Sequence, residues 1–200
     1  MPSRSTDGFD AAIDEAARRV REAADALAPV GARATSGAPT AVLIDGQSGA
    51  GKTTLAARLR ELWAGPVEVV ALDDVYPGWD GLAAGAEAAR AQILVPWSEG
   101  RGAAWRRWDW ARSAPGDELL TRADASLIIE GSGVLTEASA AYAPIRVWLD
   151  SPEAARRERA PESLSALIDE RVLGEKNGDV GTSWRTLRTW LAVNGSTERA

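Results

Sequence analysis

The sequence predicts an α/β fold: a parallel sheet with helices on both faces, in three α/β/α layers, preceded by an N-terminal amphipathic helix. Two observations carry that expectation. First, short apolar-rich runs at Ala41–Ile44, Val67–Leu72, Leu127–Ile129 and Ile145–Leu149, of which Ala41–Ile44 is unbroken, alternate with segments of helical character. A run that is apolar at every position is how a strand buried on both faces reads. Second, each run stops at a polar group: a glycine-rich loop, Asp73-Asp74, Glu130 and Asp150. Parallel sheets bind ligands beyond the carboxyl ends of their strands, so these groups converge on one edge.

The elements follow in order. Residues 1–8 carry Pro, Ser, Thr and Gly and are expected to fray. Phe9, Ile13, Val20 and Leu27 then recur at spacings of four and seven, with Ala16 and Ala24 on the same stripe. That is an amphipathic helix of about 18 residues. Pro29 to Pro39 reads as a loop or linker. Thr53 to Trp63 is a helix ending near Gly65-Pro66, and Leu82 to Leu94 is a second, with Glu87 and Arg90 outward. Another follows Asp150-Ser151-Pro152 and carries Arg156, Arg157 and Arg159. The C-terminal stretch is expected to hold helices at Ser163–Val172 and Ser183–Val193, the latter with Trp184, Leu187 and Leu191 on one stripe, and no clear last strand. Residues 1–39 then form an N-terminal helix and linker, and 40–200 the main domain, atypical over 161–200.

Composition narrows the chemistry. Of the 200 residues 45% are hydrophobic and 26% charged, the balance of a globular chain with room for a core. A net charge of -6 argues against a nucleic-acid partner. There is no cysteine and no histidine. Thiolate and imidazole metal sites, cysteine nucleophiles and Ser-His-Asp triads are therefore excluded, and acid–base work falls to Asp, Glu, Lys and Arg. With no apolar run of about 18 residues and no leader-like N-terminus, no membrane association is expected and the cytoplasm is the expected compartment.

The strongest motif is Gly46-Gln47-Ser48-Gly49-Ala50-Gly51-Lys52-Thr53, which fits G-x-x-x-x-G-K-[ST] at every fixed position. Glycines let the backbone curl so that successive N–H groups face phosphate oxygens, and the following helix adds its positive end. Lys52 is placed to reach the β- and γ-phosphates and the Thr53 hydroxyl to ligate Mg²⁺. A chance match in a chain of this size is on the order of one per cent. ATP and Mg²⁺ are the expected cofactors.

Other residues are less specific. Glu130 closes the strand Leu127–Ile129, where an acid holds the water shell of Mg²⁺ or is a solvated strand end. One of Asp73 and Asp74 could take a proton from a hydroxyl attacking the γ-phosphate, or both could belong to the turn before Tyr76-Pro77-Gly78. Arg156, Arg157 and Arg159 could close over a triphosphate, or line a solvated helix face. Between Trp97 and Arg112, Trp105, Trp108 and Trp110 are interleaved with arginines. Such side chains stack on bases, and in an acidic chain a small nucleoside is the better ligand; packing is the plainer role.

Together these residues resemble the P-loop kinases of the uridine kinase and related nucleoside kinase type. The motifs are Gly46-x-Ser48-Gly49-x-Gly51-Lys52-Thr53-Thr54, Leu72-Asp73-Asp74-Val75-Tyr76, Trp108-Asp109-Trp110, Ile129-Glu130-Gly131 and the arginine-rich helix, covering residues 40 to 160. The run from Asp73 to Gly81 also looks like a group of actinobacterial proteins described as ATP-binding or uridine kinase-like. The resemblance implies that Asp73 is the base toward the acceptor hydroxyl. It also implies that Tyr76 touches the nucleoside, and that Trp108 and Asp109 line its pocket with Asp74. Uridine kinases often carry a histidine near the substrate, which this chain lacks.

The expected activity is ATP-dependent transfer of a phosphoryl group to a small-molecule hydroxyl, with a nucleoside-like acceptor as partner. Lys52, Arg156 and Arg157 would steady the moving group. Two alternatives stand beside it: a nucleotide-binding switch or ATPase without an acceptor, and a kinase for another small acceptor such as pantothenate or a sugar.

Overall fold

The computed structural model describes residues 4–27, 38–75, 82–159, 188–193 and 196–199. Helix α1 spans Arg4–Leu27, longer than expected because it begins inside the stretch expected to fray. Strand β1 is Ala41–Gly46, followed by α2 at Lys52–Leu62 and β2 at Val67–Ala71. A single 3₁₀ turn, Leu72–Asp74, closes β2. Helix α3, Leu82–Ala89, runs on through a wide π turn at Arg90–Leu94 into α4, Val95–Ser98. Then come β3 (Ala103–Asp109), β4 (Ala114–Thr121), β5 (Ser126–Glu130), α5 (Glu137–Ala140), β6 (Ile145–Asp150) and α6 (Glu153–Arg159). Strands β7, Arg188–Val193, and β8, Ser196–Arg199, complete the described chain.

The main sheet has the order β2-β5-β1-β6-β7-β8. Its first four strands are parallel, as expected from the apolar runs, and β7 and β8 add antiparallel. Alternate residues of β1 feed two cores. Val42 and Ile44 pack with Ile13, Ala17, Val20, Leu55 and Leu59 under α1 and α2. Ala41 and Leu43 pack with Leu72, Ile93, Leu94, Trp97 and Trp105 on the other face. The layers are therefore helix, sheet, helix, the expected α/β/α arrangement. Helix α1 belongs to this body: Arg58 of α2 pairs with Asp14 at 2.7 Å, and the Arg21 guanidinium lies 4.5 Å from the Trp63 ring centre.

Two expectations need correction or addition. Residues 188–193 are a strand, not the end of a helix over 183–193, and they supply the last strand expected to be missing. Strand β6 would otherwise leave a row of backbone donors and acceptors unpaired, and Thr189, Trp190 and Val193 favour a pleated surface. Pairing outweighs the helical spacing of the apolar residues. The rest of 183–193, the helix expected at Ser163–Val172 and Tyr76 lie outside the described residues. The second point is the β3–β4 hairpin, which no sequence signal above anticipates. Its turn places Ser113 at φ +48°, and the register shifts between Arg106 and Trp108. Among the described residues no helix is long and apolar enough to cross a membrane.

Candidate functional site

Register fixes the site before any side chain does. Ile44 of β1 and Ala71 of β2 both lie opposite Glu130 of β5, so three strands end at one level. The loop 46–51, the acid pair 73–74 and Glu130 are delivered to the same edge.

The loop packs so closely on its surroundings that its glycines are obligatory. Gly46 has φ +145°, and a Cβ there would lie 2.3 Å from the Leu149 carbonyl oxygen, so any side chain would displace β6. Helix α2 starts at once after Gly51, presenting the N–H groups of its first turn, with Thr53 and Thr54 exposed there. Lys52 instead turns inward and is 9% exposed. Its ammonium donates to Gly46 O at 2.8 Å, Gln47 O at 3.0 Å and Ser132 Oγ at 3.1 Å. Burial pulls its pKa down from the ordinary lysine value, opposed by Glu130, Asp45 and Asp73.

Thr53 Oγ1 donates to Glu130 Oε1 at 2.8 Å. Glu130 is 5% exposed, and burial raises its pKa. The Thr53 bond and Lys52 act against that rise, while Asp73 and Asp74 add to it. Asp74 is raised by burial too, against the pull of Arg107. Lys52, Glu130, Asp73 and Asp74 thus lie near enough to one another for their charges to interact. The hairpin reaches it as well: the Trp110 indole N–H donates to the Asp73 carbonyl at 2.9 Å. Asp109 Oδ1 accepts from Arg112 N at 3.1 Å and so ties the hairpin turn. The Trp108 indole N–H is buried with no acceptor in reach among the described residues.

The arginines of α6 divide. Arg156 is buried and donates to Ser151 O at 3.0 Å and, at 3.4 Å, to Ser48 O in the loop. Arg159 donates to Gly49 O at 2.9 Å and to Ser151 Oγ. Arg157 pairs with Glu153 one turn back on its own helix. Sequence reasoning passed over Asp45, which is 2% exposed and accepts from the N–H groups of Gly46, Gly133 and Leu135. A charge inside the apolar run Ala41–Ile44 and its loop was the available signal. Ser132, which bridges Lys52 and Gly46 O, had none.

The donor set fits Mg²⁺ bound with a nucleotide. No group of three or more acidic residues capable of holding a metal occurs among the described residues. One hydroxyl with one buried acid behind it suits an ion that keeps most of its shell as water and phosphate oxygen.

No protein-family model matches the chain, and no curated protein resembles it significantly. Among solved structures, it is similar to a possible uridine kinase from Bacillus stearothermophilus, at 20% identity over 81% of this chain and 98% of that one, with a TM-score of 0.48. It is also similar to a candidate fructose transport system kinase from Silicibacter sp. TM1040, at 20% identity over 82% of this chain and 84% of that one, with a TM-score of 0.47. What the site does is therefore read from its own residues.

Proposed function

We propose that this chain is an ATP-dependent phosphotransferase acting on the hydroxyl of a small molecule, with a nucleoside-like acceptor preferred. The observation that supports it is the convergence of Asp73 and Asp74 with Lys52, Thr53 and Glu130 at one strand-end edge. A site that only bound or hydrolysed a nucleotide would need no second acidic pair beside the aromatic hairpin. Trp108 and Trp110 supply faces on which a base can stack.

In this reading the triphosphate lies on residues 46–54, held by loop N–H groups and the α2 terminus. Thr53 and Glu130 would hold Mg²⁺, which neutralises charge on the β- and γ-phosphates. Asp73 accepts the proton of the acceptor hydroxyl as its oxygen bonds to the γ-phosphorus. The bond from that phosphorus to the β–γ bridging oxygen breaks, and ADP leaves with the electron pair. Lys52, already fixed on the loop carbonyls, keeps its charge beside the transferring group. Arg156 acts from behind the loop, and Arg157, paired with Glu153, would steady the moving group from the same helix. Asp74, Asp109 and Tyr76 would contact the acceptor.

The test is Asp73→Asn. Binding of Mg·ATP should stay within about twofold of wild type while turnover falls by about 10²-fold or more, the usual worth of a positioned base. Unchanged turnover would discard the assignment of Asp73.

A further inference from the structure

Helix α1 does not reach the strand-end edge where the acids gather, yet its first turns touch the back of the phosphate loop. The Phe9 ring lies on Gly51: a Cβ at Gly51 would sit 2.8 Å from Phe9 Cζ and 3.3 Å from Ile13 Cδ1. The Arg159 guanidinium lies over the same ring, 4.2 Å from its centre. The same guanidinium donates to Gly49 O at 2.9 Å and to Ser151 Oγ. Gly49, at φ +74°, lies so close to α6 that a Cβ would be 2.4 Å from the Arg156 carbonyl oxygen. A continuous stack thus runs from α1 through Phe9 and Arg159, the last residue of α6, to the loop.

The contact bears on loop shape. In a trans peptide the carbonyl and the following N–H point in opposite directions. Arg159 holds the Gly49 carbonyl outward, which turns the Ala50 N–H inward, where it donates to Gln47 O at 3.1 Å and closes the loop's own turn. Arg156 holds the Ser48 carbonyl, which turns the Gly49 N–H away from α6. A loop gripped on its outer carbonyls is pre-organised to receive an anion and loses less freedom on binding.

We propose that Phe9 and Arg159 are positioning residues for the phosphate loop, making α1 a working part of the nucleotide site without touching the nucleotide. The proposal rests on the reading of residues 46–54 as a triphosphate site. Loosening the stack raises the KM for ATP and weakens triphosphate binding, and leaves kcat at saturating ATP near wild type. A merely structural role for α1 would instead lower the melting temperature and the active fraction, with KM unmoved.

The experiment titrates inorganic tripolyphosphate with Mg²⁺, and Mg·ATP, into wild type, Phe9→Leu, Arg159→Gln, Arg159→Lys and the double variant Phe9→Leu/Arg159→Gln, with melting curves for each. Phe9→Leu, which removes the ring, and Arg159→Gln, which removes the cation, should each weaken both ligands by about three- to tenfold. The double variant should be weaker than either single one but by less than the product of their effects, because both break one stack. Arg159→Lys keeps the charge and a long apolar stem, so it folds and falls between wild type and Arg159→Gln. Folded Arg159 variants that bind tripolyphosphate as wild type does overturn the proposal and leave the site reading standing. A wild type that binds neither ligand overturns the site reading, and the brace with it.

Discussion

Asp45 offers the sharpest test of how the edge is held together, because a change of one atom reverses a hydrogen bond. Its Oδ1 accepts from Gly46 N at 2.6 Å and Gly133 N at 2.9 Å, and its Oδ2 from Leu135 N at 2.8 Å. The residue is 2% exposed, so no water replaces what is lost. In Asp45→Asn the amide oxygen can keep the first two partners, but the NH₂ group then faces the Leu135 N–H, donor against donor. The lost charge-assisted bond costs about 1.5–3 kcal/mol, and the two that remain become neutral and weaken. Relief from burying a charge offsets part of this, leaving a net loss of about 2–4 kcal/mol. For a domain of this size that is a fall in Tm on the order of 10 °C. The assay is a thermal melt of wild type and Asp45→Asn, with the exposed Asp124→Asn as control. The control should melt as wild type does. A shift under about 2 °C for Asp45→Asn would refute the reasoning that this carboxylate clamps residues 133–135 to β1.

Other outcomes follow from the same geometry. Burial raises the Glu130 pKa above its ordinary 4.5, so the folded state holds a proton there that the unfolded state has released. The Glu130 contribution to stability is therefore present below pH 4.5 and is lost as pH rises through the raised value. The stability difference between wild type and Glu130→Gln should shrink or change sign from pH 4 to pH 8; denaturant titrations across that range check it, and a flat difference counts against it. Gly46→Ala should cost about 3 kcal/mol or more, because its Cβ meets the Leu149 carbonyl, whereas Gly8→Ala, with open space on exposed α1, should stabilise by about 0.5–1 kcal/mol. Both are read from denaturant midpoints. Trp110→Phe removes the donor to the Asp73 carbonyl and should lower kcat about tenfold with ATP affinity unchanged, measured by ADP release under saturating ATP.

The parallel part of the fold was legible because β1 and β5 are buried on both faces, and burial on both faces leaves a run of apolar letters. The edge where the site lies was legible for the same reason, since polarity returns where those runs stop. Strand β7 was not: Trp184, Leu187 and Leu191 sit at spacings that suit one face of a helix, and what decides against it for residues 188–193 is the open edge of β6, a partner distant in sequence. The hairpin was hidden by its half-exposed character. Trp105 points inward with its N–H bonded to Thr121, while Arg106 and Arg107 point outward, an alternation interrupted by the register shift before Trp108. Gly46, Lys52, Thr53 and Glu130 could be singled out in the sequence because a motif or a strand end marks each of them. Asp45, Ser132 and Arg159 act through backbone carbonyls and N–H groups of other elements, which no spacing in the chain encodes.

The central claim is that two substrates meet at this edge. The direct measurement mixes the protein with Mg·ATP and, one at a time, a panel of nucleosides, sugars and vitamin-type alcohols, and follows ADP together with phosphorylated product. The account predicts ADP formation that depends on one class of hydroxyl compound, one phosphorylated acceptor per ADP. ADP released at the same rate whatever hydroxyl compound is present, with no phosphorylated product, would contradict it.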